Sequence, residues 1–275
     1  MREPPVPPIE GCQAVVVGGL RAGEEFEHMD WVAQEVPVAL EYNGVSHAVM
    51  LATPADLEDF AVGFSRTEGI VDDIAQIYAI ETTHSAQGTT LSLQIAASCL
   101  HRLKAQRRNL AGRTGCGLCG TESLAHALRT PRVLAATTSF EAAAVSRALG
   151  DLRQRQALLG ATGATHAAAW CTAHGAIALV REDVGRHNAL DKLVGALLRA
   201  QTPADQGFIL ISSRASYEMV QKAATAGVTV LAAVSGVTAL AIDVARDAGV
   251  ALLGFARGED LCIYSHRERI VLRCA

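Results

Sequence analysis

The chain has 275 residues, of which 50% are apolar, and its formal net charge is −4. This composition allows a sizeable buried core and so excludes a disordered chain, and the negative charge argues against a general nucleic-acid binder. No apolar run is long enough to span a membrane, and acid and proline follow Met1 where a signal peptide would place apolar residues. We therefore expect a cytoplasmic protein with no membrane or nucleic-acid partner.

The first part of the chain predicts an α+β portion, residues 1–120. Residues 14–53 alternate β-branched and polar side chains, and Asn43-Gly44 is typical of a tight hairpin turn. A helix is predicted from Leu57 to about Gly69. A second hairpin and a helix then follow, over residues 77–83, 89–96 and 99–110. We expect this portion to end in a glycine-spaced loop.

The second part, residues 121–275, predicts an α/β core. A long helix over 139–159 precedes two apolar strands, and helices then alternate with apolar strands. The predicted elements are strands 166–172 and 176–183, helix 188–200, strand 208–212, helix 217–226, strand 229–234, helix 238–248 and strand 250–255. The last two helices end in Ala-Gly-Val, which places glycine as a C-cap before a continuous apolar strand. This alternation predicts a parallel or mixed sheet covered by helices.

Two cysteines in the predicted loop are the first candidates for chemistry. Cys116 and Cys119 are flanked by glycines, which leave a thiol unshielded. The segment from Glu81 to Glu122 has no acidic residue in between but contains Arg102, Lys104, Arg107, Arg108 and Arg113. Nearby positive charge and the start of a helix both favour a thiolate, so nucleophilic thiol or persulfide chemistry is the preferred interpretation.

Two other interpretations of the cysteine pair stay open. A structural zinc site would need a second pair of ligands at a suitable spacing, and none is evident, so we expect no structural metal. An inert structural pair is the other alternative. The remaining cysteines of the seven lie in apolar or terminal contexts, where buried packing thiols are the expectation.

A charged segment, residues 181–192, lies where a strand is predicted to end and a helix to begin. It contains seven ionisable residues, namely Arg181, Glu182, Asp183, Arg186, His187, Asp191 and Lys192. Ordinary capping by Asn188 and a turn at Gly185 would account for part of this segment. The number of charges exceeds what capping needs, so a functional role for some of them is an equal alternative.

Polar residues also follow the ends of three predicted strands. They are Ser212-Ser213-Arg214-Ala215-Ser216, Ser235-Gly236-Val237-Thr238 and Ala256-Arg257-Gly258. The carboxyl ends of parallel strands and the N-termini of the following helices form a crevice suited to phosphate groups. Each serine or threonine alone would be a helix cap, but three clusters at corresponding positions predict a shared anion site for a nucleotide-bearing ligand.

Five segments together resemble one family, the formate dehydrogenase accessory sulfurtransferases, which act in sulfuration of the molybdenum cofactor. The resemblance is carried, in order along the chain, by residues 114–120, 163–168, 182–192, 214–222 and 254–258. The string Asp-Val-Gly-Arg-His-Asn-Ala-Leu-Asp-Lys within the third segment is far more specific than the Cys-x-x-Cys spacing.

The resemblance implies a cytidine-deaminase-like three-layer core with a mixed sheet, and a homodimer. It implies a sulfur carrier that receives a persulfide from a cysteine desulfurase. The acceptor would be molybdenum bis(molybdopterin guanine dinucleotide), bound as substrate and destined for the catalytic subunit of formate dehydrogenase. The catalytic residues would be Cys116 and Cys119. The predicted cofactor-binding residues are Phe255, Ala256, Arg257, Gly258, Glu259 and Asp260, together with Arg214, Ser216, His187 and Asp183 from the strand-end clusters and the charged segment.

The sequence departs from the family pattern in four places. Ser213 and Ala164 stand where glycine is expected, Ser235-Gly236-Val237-Thr238 replaces a Ser-Ala-Pro-Thr, and Glu259-Asp260 bring acid into a segment that is often neutral or basic. Two other functions are kept as hypotheses beside the sulfur carrier. One is a cofactor-binding chaperone whose thiols are incidental, and the other is a thiol-disulfide oxidoreductase.

Overall fold

The computed structural model describes residues 9–108, 133–135, 138–258 and 260–272. Cys116, Cys119, Glu259 and the predicted boundary at residue 120 lie outside this part of the chain. The described helices are α1 (Leu57–Thr67), α2 (Ala97–Arg108), α3 (Ala142–Arg155), α4 (Ala157–Thr162), α5 (Arg186–Arg199), α6 (Tyr217–Thr225) and α7 (Ala239–Ala248).

The described strands fall into four sheets. They are β1 (Cys12–Arg21), β2 (Glu24–Ala33), β3 (Val36–Tyr42), β4 (Val45–Ala52), β5 (Ile77–Ser85), β6 (Gly88–Ile95), β7 (Phe140–Glu141), β8 (His166–Thr172), β9 (Ile177–Asp183), β10 (Gly207–Ile211), β11 (Val230–Ala233), β12 (Ala251–Arg257), β13 (Asp260–Ile263) and β14 (Ile270–Val271). Among the described residues, no helix has the length and apolar character needed to cross a membrane.

The largest sheet has six strands in the order β13-β12-β11-β10-β8-β9. Strands β10, β11 and β12 are parallel to one another, whereas β8, β9 and β13 are each antiparallel to a neighbour. The predicted mixed sheet is therefore confirmed. The parallel strands are joined by α6 and α7, as the short apolar runs and helical periods of the sequence indicate.

Alternate side chains of this sheet enter two separate cores. On β10, Ile209 and Ile211 pack with α5, α6 and α7, whereas Phe208 and Leu210 pack with α3 on the opposite face. Because successive side chains of a strand point to opposite faces, a strand that is apolar throughout must be covered on both. The sheet thus lies between two helical layers, and the closer likeness to cytidine deaminase stays a prediction.

The N-terminal portion has its own core beneath the sheet β4-β3-β6-β5, to which α1 and α2 contribute. Helix α1 crosses α5 at two glycines, Gly63 and Gly195. A Cβ atom added at Gly63 would lie 1.7 Å from the carbonyl oxygen of Asp191, and one at Gly195 would lie 1.8 Å from that of Asp59. The two helix backbones therefore touch, which only glycine permits at these positions.

Three features differ from the sequence prediction. The antiparallel region over 14–53 divides into the hairpin β3–β4 and a separate ribbon, β1–β2, which turns at Ala22-Gly23 with positive φ at both residues. The predicted helix 139–159 divides at Gln156, whose ψ of 80° is not helical. Strands β7, β13 and β14 were missed because each has only two to four residues.

Candidate functional site

The predicted clusters after the parallel strands meet at one edge of the large sheet. The backbone N–H of Ala215 donates to the carbonyl oxygen of Gly236 (3.1 Å), and that of Thr238 donates to the carbonyl oxygen of Ala215 (3.1 Å). The N–H of Phe255 donates to the carbonyl oxygen of Ser235 (3.0 Å). These bonds join the loops into one surface, which we call the strand-end surface: residues 166, 184–187, 212–218, 235–238 and 255–258.

His166 belongs to the same edge although its strand runs the other way. Since β8 is antiparallel to β10, the start of β8 lies beside the end of β10, and the N–H of Ala167 donates to Ser212 Oγ (2.8 Å). The register also places His166 opposite Asp183, the last residue of β9. The start of α5, two residues after Asp183, is thereby brought to the strand-end surface.

Asp183 is completely buried, and its carboxylate is fully occupied. Oδ1 accepts hydrogen bonds from the N–H of Gly185 (2.8 Å) and from Asn188 Nδ2 (3.0 Å). Oδ2 accepts from the N–H of Thr53 (3.0 Å) and lies 2.7 Å from Lys192 Nζ, which is also buried. A buried carboxylate with this set of donors fixes the turn from β9 into α5. The predicted contact of Asp183 with a ligand stays a prediction.

The same segment holds the N-terminal portion against the core. Asn188 Nδ2 donates to the carbonyl oxygen of Leu51 (2.8 Å), and Lys192 Nζ donates to that of Thr53 (2.9 Å). Both acceptors lie at the end of β4 or just beyond it. The charges of Asp183 and Lys192 therefore form part of the contact between the two portions of the chain.

A second buried ion pair involves Asp191, the residue next to Lys192 in α5. Lys222 Nζ lies 3.0 Å from Asp191 Oδ2 and 3.0 Å from Glu68 Oε1, and it donates to Thr67 Oγ1 (3.0 Å). Burial alone would lower the pKa of Lys222, but the charges of Asp191 and Glu68 raise it instead, so the ammonium group is retained. Lys222 thereby joins α6 to α5 through Asp191, and to the end of α1 through Thr67 and Glu68.

The two remaining charges at the start of the segment also have structural partners. Glu182 accepts from the N–H groups of Leu158 and Leu159 (both 2.8 Å), which satisfies the N-terminus of α4. Arg181 lies 2.7 Å from Asp59 of α1. Five of the seven ionisable residues predicted in the segment thus bind other parts of the fold. Only Arg186 and His187, in the first turn of α5, remain at the strand-end surface.

His187 pairs with an acidic residue that sequence reasoning did not select. Its Nε2 lies 2.6 Å from Oε2 of Glu218, in the first turn of α6, and both side chains are less than one-third exposed. The close contact with His187 lowers the pKa of Glu218, so this carboxylate is ionised at neutral pH. Burial, and then the charge of Arg186, lowers the pKa of His166 below 6.5.

Polar atoms without a partner lie beside this pair. Arg186 Nε and Ser216 Oγ are both buried and have no hydrogen-bond partner among the described residues. Ser216 is the N-cap of α6, yet its hydroxyl caps no N–H, and α5 begins at Gly185, which has no side chain to do so. Two polar atoms without a partner thus lie at the starts of the two helices that the His187–Glu218 contact brings together, an arrangement that suits an anion.

The predicted cofactor segment after the last parallel strand forms the far side of the surface. Phe255 has a φ of 50°, is 47% exposed and packs on Gly236, where an added Cβ would lie 3.0 Å from its ring. Arg257 lies opposite Asp260 in the register of strands β12 and β13. Both residues are exposed, as is Gly258. Ala256 is buried, and Arg214 is exposed after β10. Glu259 lies outside the described residues.

Comparison with known proteins assigns the chain to a family. A model of the FdhD/NarQ family matches residues 33–271, which include both the N-terminal portion and the core. The chain belongs to the FdhD/NarQ family. The family resemblance inferred from the five sequence segments is thus confirmed.

Curated relatives within the FdhD/NarQ family match almost the whole chain. A protein of Variovorax paradoxus named sulfur carrier protein FdhD is 56% identical over 94% of this chain and 93% of its own length. A protein of the same name from Xanthomonas campestris pv. campestris is 49% identical over 99% of this chain and 97% of its own.

A solved structure shares the fold. The crystal structure of a candidate formate dehydrogenase accessory protein from Desulfotalea psychrophila superposes with a TM-score of 0.76, covering 95% of this chain and 100% of that one. The sequence identity is 22%, and what the two proteins share is the fold. In the described part of this FdhD/NarQ member, no group of three or more His, Cys, Asp or Glu side chains could hold a metal ion.

Sequence reasoning selected some strand-end residues of this FdhD/NarQ chain and overlooked others. Arg214, Ser216, His187 and Phe255 were selected, and the structure places them on one surface. Glu218 was overlooked because a glutamate in the first turn of a helix is explained by the helix dipole alone. The sequence around Glu218 does not indicate that it contacts His187, because the two residues are 31 positions apart. They come together only because the sheet places the starts of α5 and α6 side by side.

Proposed function

We propose that this protein is a sulfurtransferase of the cytoplasm, a sulfur carrier that serves the maturation of formate dehydrogenase. It accepts sulfur from a cysteine desulfurase as a persulfide on Cys116. It then passes the sulfur to molybdenum bis(molybdopterin guanine dinucleotide), bound as substrate at the strand-end surface. The observation that carries the proposal is the near-full-length match, at 56% identity, to a relative named a sulfur carrier protein.

Loading requires a nucleophilic thiolate. The thiolate of Cys116 attacks the outer sulfur of a persulfide on the donor enzyme, a new S–S bond forms, and the donor cysteine leaves as a thiolate. No oxidant is consumed, because the sulfur is transferred at its own oxidation level. Positive charge beside a cysteine favours its thiolate, and Arg113 precedes Cys116 by three residues in the sequence.

Cys119 supplies a way to release the sulfur. Its thiolate can attack the Cys116 sulfur that carries the persulfide, which forms a Cys116–Cys119 disulfide and expels hydrosulfide. The two thiols thereby provide the two electrons that convert persulfide sulfur into a sulfide ligand for the metal centre. A single cysteine cannot supply both electrons. The proposed release step therefore gives a role to each of the two thiols, which lie three positions apart in the sequence.

The strand-end surface supports the proposed ligand. Diphosphate groups are anions that suit the N-termini of α5 and α6, with Arg186 and Ser216 holding unpaired polar atoms beside them. Exposed Arg214 and Arg257 add positive charge. The half-exposed ring of Phe255 offers a flat face on which a guanine base can stack.

Persulfide mapping tests the carrier function directly. The full-length protein is incubated with a cysteine desulfurase and cysteine, and its peptides are then analysed by mass spectrometry. The peptide containing Cys116 should gain one sulfur, and the Cys116→Ala variant should lose that gain. Cys262, which is exposed on β13, is the matched control, and Cys262→Ala should load normally. Absence of sulfur on both Cys116 and Cys119 would refute the carrier function.

A cofactor chaperone is the second candidate, favoured by one observation. The strand-end surface is assembled from residues far from the cysteine pair in sequence, so it could bind a cofactor without thiol chemistry. The double variant Cys116→Ala/Cys119→Ala separates the two functions when co-expressed with a formate dehydrogenase. A sulfur carrier predicts an inactive dehydrogenase, whereas a chaperone predicts full activity. The homodimer remains a prediction that sedimentation analysis can test.

A further inference from the structure

The ribbon β1–β2 stands apart from the other sheets. Its strands pair along their whole length, from Cys12 opposite Ala33 to Arg21 opposite Glu24, without a bulge. In the part of the chain that the structure describes, no third strand joins them. The base of the ribbon contacts α4, and the turn at Gly23 meets no atom within 4 Å of an added Cβ. Because a two-stranded ribbon is only marginally stable in water, its outer part lacks the packing that such a ribbon needs.

One face of the ribbon presents apolar side chains to solvent. Val16 lies opposite Met29 in the register, and Leu20 is on the same face because side chains alternate along a strand. Their exposed fractions are 63% for Val16, 47% for Met29 and 72% for Leu20. Neighbouring exposed apolar side chains of this kind mark a surface that binds another molecule.

The two edges of the ribbon differ in charge, and this difference selects the edge that can pair. Strand β1 has no charged residue before Arg21, its last. Strand β2 has four acidic residues among its ten, namely Glu24, Glu25, Glu27 and Asp30. Charged side chains protect an edge strand from pairing, whereas a long, regular edge without them is a template for another strand. The edge of β2 is therefore protected and the edge of β1 is open.

We infer that the open edge of β1 binds a second copy of this chain, by antiparallel pairing of β1 with the β1 of that copy. A two-fold axis perpendicular to the ribbon brings the same edge of both copies together, and the assembly closes at two subunits. The product is a four-stranded sheet in the order β2-β1-β1-β2, in which the free N–H and C=O groups of both edges gain partners. The inference locates the interface of the predicted homodimer and involves no sulfur chemistry.

The sequence of β1 favours one register and explains why the occupant is a second copy. With Val16 opposite Val16 of the second copy, Val15 lies opposite Val17 and Val17 opposite Val15. Three pairs of β-branched side chains then meet at the centre, where cross-strand pairs stabilise a sheet. A shift of two residues either way, the smallest that keeps each side chain on its face, leaves a single valine pair. The strand is thus complementary to itself.

Disulfide cross-linking of the full-length protein tests the register. The background has four cysteines replaced by alanine: Cys116, Cys119, Cys262 and Cys274. With oxidised glutathione as the oxidant, Val16→Cys should give a covalent dimer, because directly opposite residues bring their Cα atoms within the range of a disulfide. Met29→Cys is the matched control on the same face. Three strand spacings, about 14 Å, would separate the two copies of residue 29, so this variant should stay monomeric in denaturing gels.

Charge variants test the same contact without a covalent bond. Val16→Lys places two ammonium groups opposite each other at the axis, and sedimentation velocity should show a dimer weakened by more than about tenfold. Val16→Glu should have the same effect. An equimolar mixture of the two should dimerise again, because opposite charges then meet across the axis. Met29→Lys should remain dimeric, and circular dichroism checks that each variant is folded.

Each outcome decides the inference separately from the proposed function. A wild-type protein that is monomeric at every concentration would overturn the inference, as would a dimeric Val16→Lys or cross-linking of Met29→Cys but not of Val16→Cys. Capture of a different protein by Val16→Cys would show that the occupant is not a second copy. Sulfur loading of Cys116, measured on the wild-type protein, is read independently, so its failure would refute the carrier and leave the β1 contact standing.

Discussion

Two parts of the segment 181–192 show how burial divides structural charges from available ones. Asp183 and Lys192 have side chains with no exposed surface, and all their polar atoms have partners within the fold. Arg186 and His187, only a few residues away, are partly exposed, and Arg186 Nε has no partner in the part of the chain that the structure describes. The difference indicates that the first pair maintains the fold and that the second is available to a ligand.

The largest expected effect comes from breaking the buried pair. Lys192→Met would leave the Asp183 carboxylate buried without its counter-charge, which typically costs about 3–5 kcal/mol of unfolding free energy. Urea unfolding followed by circular dichroism measures this loss. Arg214→Met, at the exposed strand-end surface, is the control and should change stability by less than about 0.5 kcal/mol. Equal stability of the two variants would contradict the division of roles.

The helix contact beneath the same segment should show the next largest effect. Gly63→Ala would place a methyl group against the Asp191 carbonyl and force α1 away from α5, at a cost of about 1–3 kcal/mol. Gly150→Ala in α3 is the matched control, because an added Cβ there meets nothing within 4 Å. That control should be neutral or stabilising by up to about 1 kcal/mol. Thermal unfolding of the two variants tests the contrast.

A smaller effect is expected for the partly exposed pair His187–Glu218, and it depends on pH. The close contact with His187 lowers the pKa of Glu218 below 4.5 in the folded protein. The resulting stabilisation is therefore present above pH 4.5 and is lost as the pH falls through the lowered pKa. Glu218→Gln should be less stable than wild type by about 1 kcal/mol or less at neutral pH, and the difference should shrink in acid. A difference that grows in acid would show that the sign is wrong.

The smallest effect on stability is expected at Ser216. Because its hydroxyl makes no capping bond, Ser216→Ala should change the free energy of unfolding by less than about 0.5 kcal/mol while weakening the binding of guanosine diphosphate. Thr238→Ala is the matched control at the start of α7. Thr238 Oγ1 does accept the N–H of Ala241 (3.3 Å), so its loss should cost about 1 kcal/mol. A cost at Ser216 as large as that at Thr238 would identify it as an ordinary cap.

Much of the core could be predicted because its patterns are local. A short stretch of sequence is enough to predict each of these elements. Apolar runs predict the strands β10 and β12, and the glycine after α7 predicts where that helix ends. The hairpin at Asn43-Gly44 was predictable for the same reason, since both residues have positive φ in the turn. Very short strands such as β7 and β14 were not predictable, because two residues are too few to show the alternation of apolar and polar side chains that marks a strand.

The candidate site was predictable only in part. Strand-end clusters follow from the rule that parallel strands end at one edge, and this rule located Arg214, Ser216 and the segment after β12. The rule could not assign roles within the charged segment, because composition does not distinguish a buried carboxylate from a surface one. Asp183 and His187 are four residues apart in the sequence, yet the first is buried and the second is partly exposed.

The sequence by itself determined the order of helices and strands, the apolar faces, the cysteine pair and the family, since each is encoded in neighbouring residues or in strings of fixed spacing. Only the tertiary structure decided which charges are buried and which remain available. Those roles depend on partners more than 100 residues apart, such as Thr53 and Asp183, whose 3.0 Å hydrogen bond exists only once the N-terminal portion packs on the core. Burial and pairing are properties of the assembled chain, and in this protein they separate the anchoring half of the charged segment from the half that faces a ligand.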